Sequence, residues 1–232
     1  MSNTEQQYNI EFNKIHENWL KILKKYENQE FMNSFKKYVI DFYDNNIDAY
    51  PSIENLFNPF KYTDPYDIKV IILSLNCEKK SLGLAFSNEF KTSMCEKIEK
   101  EIQIEYRRNV FISDISFKKL AAQGVFMPNI NLFYTIDKSP MCVEIFWQKI
   151  FEFIILLGNN IWFAWGKNEV YINKILHLEE EDNGNKKNPD DKIIINTNIK
   201  ISDKYFKGNG CFIICNHYLK QYYKKPIEWT NI

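Results

Sequence analysis

The residues with the clearest chemical potential follow the first strongly apolar run of the chain. Asp67–Leu73 is rich in β-branched residues, a composition typical of a strand that is buried on both faces of a sheet. In α/β proteins, ligands bind at the turns that follow such strands. The turn here supplies an amide, a thiol, a carboxylate and two ammonium groups, in the order Asn76, Cys77, Glu78, Lys79 and Lys80.

The composition fits one globular domain over residues 1–232. Hydrophobic residues make up 45% of the chain, enough for a sizeable core, and glycine and proline, at seven each, are too few for long flexible linkers. Basic and acidic residues balance at 30 each, so we expect no bulk attraction to nucleic acid or to a membrane surface. A local basic patch is compatible with this balance.

Neither cysteine nor histidine forms a pattern that would hold a metal. The five cysteines are an odd number without a CxxC pair, which favours reduced, packed thiols over zinc ligands or disulfides. We therefore expect no metal and no cofactor. The polar N-terminus lacks an apolar signal segment, and the apolar runs are too short to span a membrane, so the sequence predicts an intracellular protein outside the membrane.

Strands and helices are predicted to alternate along the chain. Apolar runs predict four strands, at residues 68–75, 124–130, 160–166 and 192–196. Because no hairpin signal joins them, we expect an α/β fold, a three-layer α/β/α sandwich with a central four-stranded parallel sheet. The turns after all four strands would then meet at one edge. The acidic, asparagine-rich residues 178–191 predict a mobile loop inserted in this domain.

Several blocks of the sequence resemble family 1 uracil-DNA glycosylases. They occur in the family's order, at about its spacing, and they cover most of the chain. The resemblance implies a four-stranded parallel sheet between helical layers and a role on DNA. The matching blocks are AYPSIENLFNPFKYTDPYDIKVIIL and LGLAFS within 49–87, AAQGVFMPNINLF at 121–133, IWFAWG at 161–166 and KKPIEW at 224–229.

The two catalytic motifs of that family are not kept in this chain. The first is Gly-Gln-Asp-Pro-Tyr-His, whose Asp positions the attacking water, whose Tyr excludes the methyl group of thymine and whose Gln holds the base edge. An ungapped alignment puts Asn76 at the Asp, Glu78 at the Tyr and Leu75 at the Gln. The second motif is a late His-Pro-Ser-Pro-Leu loop, and counting back from Pro226 places Asn196 at its histidine. The resemblance thus implies a base pocket that includes Leu75 and Glu78 and whose catalytic positions are degenerate.

Histidine usage supports the same interpretation. Cleavage of a glycosidic bond builds positive charge on the sugar and negative charge on the leaving base, and an enzyme stabilises both electrostatically. The chain has three histidines, and none falls in a predicted strand-end turn: His16, His177 and His217. No imidazole is therefore expected at the site.

Three other positions keep the family's pattern. Phe86 matches the ring on which uracil stacks, Asn129 matches the amide that pairs with the pyrimidine edge, and Ser93, a predicted helix cap, matches a phosphate contact. Each also has a purely structural interpretation, as a core aromatic, a turn residue and an ordinary helix cap respectively. Lysines in or beside the predicted edge loops are further candidates for DNA contact, although each is also compatible with an ordinary solvated lysine: Lys79, Lys80, Lys200 and Lys204.

Two functions fit these observations. The first is a homologue that has lost base excision and serves as a DNA-binding or protein-interaction module in replication or repair. In some large DNA viruses a protein of this family is a DNA polymerase processivity component, so a replication or repair protein is an expected partner beside DNA. The second is a glycosylase with weak, altered or mismatch-type specificity that uses Asn76 and Asn129, because mismatch-type enzymes of the superfamily carry an asparagine in the first motif.

Overall fold

A computed structural model describes residues 2–46, 48–135, 138–165, 167–176, 193–195, 198–203, 208 and 210–232. The predicted loop at 178–191 and the candidate residues Asn196 and Lys204 lie outside these ranges. The helices are α1 (Asn3–Asn13), α2 (Glu17–Leu23), α3 (Glu30–Asn45), α4 (Asn58–Tyr62), α5 (Ser93–Tyr106), α6 (Lys118–Ala121), α7 (Met141–Leu157), α8 (Asn168–Ile175) and α9 (Cys211–Gln221).

The described strands form two sheets. The strands are β1 (Val70–Ile72), β2 (Ser74–Asn76), β3 (Val125–Phe126), β4 (Asn129–Asn131), β5 (Ile161–Trp165), β6 (Ile193–Ile195) and β7 (Asn198–Asp203). The central sheet has the order β3-β1-β5-β7-β6, and its first four strands are parallel while β6 pairs antiparallel with β7. A second sheet pairs β2 and β4 in parallel. The predicted α/β fold with a parallel sheet between helices is confirmed.

The first two predicted strands are each divided in two. The Leu73 carbonyl, between β1 and β2, accepts a hydrogen bond from Asn168 Nδ2 at 2.6 Å. Pro128, between β3 and β4, has no N–H to donate, but its carbonyl accepts from Ser74 N at 3.0 Å. The chain therefore leaves the central sheet after Ile72 and continues as the β2–β4 pair, which carries the candidate site.

The last predicted strand is present, but the prediction of its direction is wrong. The run predicted at 192–196 contains β6, which is the antiparallel edge strand, and the fourth parallel strand is β7. Ile199 lies opposite Ile161, the first residue of β5, so β7 begins at the amino ends of the parallel strands. Residues 198–200, which belong to the turn expected after the last predicted strand, therefore lie at the amino ends of the parallel strands. β7 reaches their carboxyl ends at Asp203, which is opposite Trp165.

Apolar clusters pack on both faces of the central sheet. On one face lie α3 and α7, where the rings of Phe35 and Phe146 stack with centroids 4.2 Å apart. The other face is covered by α5, α9 and the C-terminal segment, in which Trp229 is 1% exposed and lies 4.8 Å from the ring of Phe212. These layers hold the strands rigidly, so the loops at their ends have fixed anchors.

The described residues contain neither a membrane-spanning helix nor a metal-binding cluster. None of the helices in these ranges is both long and apolar enough to cross a bilayer. Within the same ranges, no group of three or more histidine, cysteine, aspartate or glutamate side chains is arranged to hold a metal ion.

Candidate functional site

The candidate site lies where the chain leaves the carboxyl end of β1. The β2–β4 pairing sets Ser74 opposite Asn129 and Asn76 opposite Asn131. Helix α8 begins beside this point, because its first residue, Asn168, donates to the backbone at the β1–β2 junction. The two asparagines predicted from the family pattern, Asn76 and Asn129, are thus brought to neighbouring strands.

A short hydrogen-bond chain fixes the amide of Asn76. The hydroxyl of Ser139 donates to Asn131 Oδ1 at 2.8 Å, and Asn131 Nδ2 donates to Asn76 Oδ1 at 2.6 Å. Asn131 thus bonds Ser139 through its amide oxygen and Asn76 through its amide nitrogen. Asn76 accepts this hydrogen bond through Oδ1, so the Nδ2 group is the donor end of its amide. The exposed side chain of Asn76 therefore presents hydrogen-bond donors.

Asn129 is a buried part of the same wall. Its side chain is 6% exposed, and Nδ2 donates to the Gly83 carbonyl at 3.1 Å. Gly83 has a φ of +92°, and a Cβ there would lie 1.9 Å from the Asn55 carbonyl oxygen, so the close approach requires glycine. The loop is held once more where Ala85 N donates to the Met127 carbonyl at 2.8 Å. These contacts seat the loop that carries Phe86 against the start of β4.

Phe86 adopts a backbone conformation that is rare for a bulky residue. Its φ is +63°, in the left-handed region, and its side chain is half-buried. The ring lies 6.3 Å from that of Trp165, the last residue of β5, at an interplanar angle of 39°. Phe86 thus packs on the second core cluster and still has an open portion at the carboxyl edge. Strained backbone of this kind is concentrated at binding and active sites.

The other residues at the end of β2 and in the turn after it differ in solvent exposure. Leu75 is half-buried, whereas Glu78 and Lys79 are exposed. Cys77 is 3% exposed, and its thiol donates to the Tyr50 carbonyl at 3.6 Å. Burial raises the pKa of the Cys77 thiol to about 12, so it is protonated at neutral pH and is a packing residue rather than a nucleophile.

The candidate DNA contacts occupy different environments. Lys80 pairs with Glu89 at 3.1 Å on the surface. Lys200 is in the middle of β7 rather than in a loop, and its buried ammonium contacts Glu169 Oε1 at 3.1 Å and Asn173 Oδ1 at 2.8 Å on α8. This pair explains how a lysine is accommodated inside the fold, and it leaves Lys200 poorly placed for a phosphate.

Ser93 is exposed and is the first residue of α5, but it is not the cap that the sequence predicted. Thr92 is the N-cap residue, and its hydroxyl accepts from Cys95 N at 3.2 Å. Ser93 is therefore in the first turn, where an anion would meet the amides of the helix N-terminus.

Two of the three histidines fall in described parts of the chain, and both contact residues away from the β2–β4 pair. His16 caps α2 and lies 3.5 Å from Asp64, which precedes β1. His217 is on α9 and contacts Gln221 of the same helix at 3.0 Å. His177 is outside the described residues.

The sequence interpretation missed Asn131 and Ser139. Asn131 follows Asn129 by two residues and therefore points to the same face of β4, which is the one signal in the sequence that could have indicated it. Ser139 is eight residues further on, in the connection to α7, and nothing in the local pattern distinguishes it from an ordinary loop serine.

No protein-family model matches the chain. Among curated proteins, the uracil-DNA glycosylase of Buchnera aphidicola subsp. Baizongia pistaciae is 29% identical over 194 residues, which cover 78% of this chain and 82% of that protein. The uracil-DNA glycosylase of Campylobacter jejuni subsp. doylei is 26% identical over 237 residues, which cover 95% of this chain and 96% of that protein.

Solved structures give the same result for the fold. The crystal structure of mimivirus uracil-DNA glycosylase superimposes with a TM-score of 0.68 at 18% identity, and the match covers 94% of this chain and 88% of that one. The chain therefore has the fold of uracil-DNA glycosylases, and the curated proteins that it resembles in sequence carry that name.

Proposed function

We propose that this chain is a uracil-DNA glycosylase homologue that binds DNA at the carboxyl edge of its sheet and has lost base excision. The observation that carries the proposal is the charge and the hydrogen bonding of the Asn76 side chain. A neutral amide stands where the resemblance implies a water-positioning carboxylate, and its Oδ1 already accepts a hydrogen bond from Asn131 at 2.6 Å.

The chemistry explains why this substitution matters. A sugar that develops oxocarbenium character is stabilised by a nearby negative charge, and the attacking water is aligned by an acceptor. Asn76 has no charge, and its amide is oriented to offer donors. The residue can hold an oxygen of DNA or of a base, but it is poorly suited to promote attack by water.

DNA contact is proposed separately from catalysis. Phe86 is half-buried beside Trp165 at the end of β5, and Asn129 donates to the backbone of the loop that carries Phe86. Lys79 and Lys80 follow β2 on the surface. The two lysines supply the positive charge that phosphates require, in a chain whose net charge is +0. A role in replication or repair, with a protein partner there and an intracellular location, belongs to the same proposal.

A second candidate is a glycosylase of weak or altered specificity that uses Asn76 and Asn129. The pairing of β2 with β4 favours this candidate, since the pairing places Asn76 and Asn129 on adjacent strands. The names of the relatives in Buchnera and Campylobacter, both uracil-DNA glycosylases, favour it as well. The two candidates share DNA binding and differ in whether the glycosidic bond is cleaved.

Single-turnover uracil release distinguishes them. The protein, purified from a host that lacks its own uracil-DNA glycosylase, is mixed in large excess with a uracil-containing single-stranded oligonucleotide, and binding of the same oligonucleotide is followed by fluorescence anisotropy. We expect binding without release. The matched variants Asn76→Ala and Asn129→Ala, each prepared in the same host, identify the origin of any release that is seen.

Each result has a defined meaning. Uracil release that disappears in Asn76→Ala and Asn129→Ala would overturn the loss of excision and establish the second candidate. Failure of the wild-type protein to bind either uracil-containing or ordinary DNA would overturn both candidates. Binding by the wild-type protein with no release supports the first.

A further inference from the structure

The loop between β2 and α5 presents an aromatic ring that the base pocket does not use. Phe90 is 62% exposed, whereas the aromatic side chains of both core clusters are mostly buried. Exposing a phenyl ring forgoes the free energy of burying its apolar surface. An exposed ring on a fixed backbone keeps one position at the surface, so a ligand can pack against it without first ordering the loop.

The backbone beneath Phe90 is held in place. Ser81 and Asn88 form an antiparallel bridge across the loop, and both are buried. The amide of Asn88 ties the two sides together, since Nδ2 donates to the Lys79 carbonyl at 2.7 Å and Oδ1 accepts from Phe90 N at 3.3 Å. The loop also contacts the rest of the fold where Asn88 N donates to the Ile115 carbonyl at 3.4 Å.

A cation accompanies the ring. Lys80 Nζ lies 4.7 Å from the centroid of the Phe90 ring and 3.1 Å from a carboxylate oxygen of Glu89. Lys79, the preceding residue, is exposed. Proteins that hold single-stranded nucleic acid combine these two elements, an aromatic face on which a base stacks and an ammonium group near the backbone phosphate.

We propose that Phe90 is a stacking platform for one base of single-stranded DNA and that Lys80 contacts the phosphate next to that base. This inference rests on the proposed DNA binding and names the form of DNA that is bound. Since a phenyl ring offers no hydrogen bonds, the platform accepts any base and requires that the base be unpaired. It therefore selects single strands over duplex without reading sequence.

The test uses an end-labelled oligothymidylate about 15 nucleotides long, within the site size of single-strand-binding folds. Anisotropy titrations at low salt compare the full-length wild-type chain with Phe90→Ala and Phe90→Tyr. We expect Phe90→Ala to weaken binding about 5- to 100-fold, the loss usual for a stacked base, and Phe90→Tyr to retain it. Phe111→Ala is the matched control, because Phe111 is 73% exposed but lies between α5 and α6. It should bind as the wild type does.

A second oligomer makes the test specific for stacking. An abasic phosphodiester chain of the same length keeps the charge and removes the bases, so the wild type and Phe90→Ala should bind it equally. If Phe90→Ala binds oligothymidylate as tightly as the wild type, or weakens both oligomers alike, the stacking inference is overturned while the proposed DNA binding stands. If the wild type binds neither oligomer, the proposed DNA binding itself is overturned, and the stacking inference with it.

Discussion

Asn131 Nδ2 donates a hydrogen bond to Asn76 Oδ1 across 2.6 Å, from one strand of the β2–β4 pair to the other. The hydrogen bonds continue beyond the strand pair, because Asn131 Oδ1 accepts from the hydroxyl of Ser139 at 2.8 Å. With Oδ1 of Asn76 engaged in this chain, its Nδ2 group is the end of the amide that can donate to a ligand.

Gly83 should be intolerant of any side chain. A Cβ at this position would lie 1.9 Å from the Asn55 carbonyl oxygen, and the φ of +92° is strained for other residues. We expect Gly83→Ala to lower the free energy of unfolding by about 3 kcal/mol or more, as measured by urea denaturation. The matched control is Gly208→Ala, where φ is +72° but no atom of the described residues lies within 4 Å of the added Cβ. It should lose about 1–2 kcal/mol, and equal losses in the two variants would show that the contact with Asn55 is not tight.

Glu11 is a buried carboxylate that depends on its lysine partners. Burial acts to raise the pKa of Glu11, but hydrogen bonds from Lys14 and Lys61 outweigh it and hold the pKa below the usual value. The side chain of Lys61 is 13% exposed and that of Lys14 is 57% exposed. We therefore expect Lys61→Met to cost about 3–5 kcal/mol of unfolding free energy and Lys14→Met to cost less than about 1 kcal/mol. Chemical denaturation of the two variants side by side measures the difference, and similar losses would contradict this ranking.

Glu105 gives the fold a predictable pH dependence. Its carboxylate accepts from Phe212 N at 3.3 Å and Ile213 N at 2.9 Å at the start of α9. Burial raises its pKa to about 7, with the charge of Glu101 acting in the same direction. A raised carboxyl pKa means that the folded state binds the proton more tightly than the unfolded state does. The stability from this group is thus complete below the unfolded pKa and is lost as the pH rises through about 7.

The Glu105→Gln variant isolates that contribution. Urea denaturation at pH values from about 5 to about 8 spans the window between the ordinary carboxyl pKa and the raised one. We expect the wild type to lose stability relative to Glu105→Gln as the pH increases through this window. Glu96→Gln, an exposed change in the first turn of the same helix, is the control. A stability difference between the wild type and Glu105→Gln that does not vary with pH would show that Glu105 titrates normally.

The sequence predicted the sheet better than the site. Buried parallel strands show themselves as β-branched runs, so β1 and β5 were found where the structure has them. β7 was missed because its alternation of polar and apolar residues is typical of a half-exposed strand. The burial of Lys200 depends on Glu169, which lies 31 positions away on α8, and no local pattern contains such a contact. The pairing of Asn76 with Asn131 likewise became visible only with the register of two strands.

The last prediction concerns an attempt to rebuild catalysis. We expect that Asn76→Asp combined with Asn196→His will not restore uracil excision at the rate of an authentic uracil-DNA glycosylase assayed beside it in single-turnover experiments. The new carboxylate would stand opposite Asn131, whose amide already faces residue 76 as a donor, so this half of the change fits the fold.

We expect the histidine half to contribute little. The described residue nearest to position 196 on its C-terminal side is Asn198, at the amino end of β7, whereas the carboxyl edge is reached at Asp203, roughly 17 Å further along the strand. Catalytic groups act as a unit, and a group misplaced by even 1 Å forfeits much of its effect. Asn76→Asp alone is the matched control, because equal rates in the single and double variants would show that the histidine at position 196 contributes nothing to excision. Excision by the double variant at the authentic rate would instead mean that two residues separate this fold from activity, and the proposed loss of excision would then rest on Asn76 and Asn196 alone.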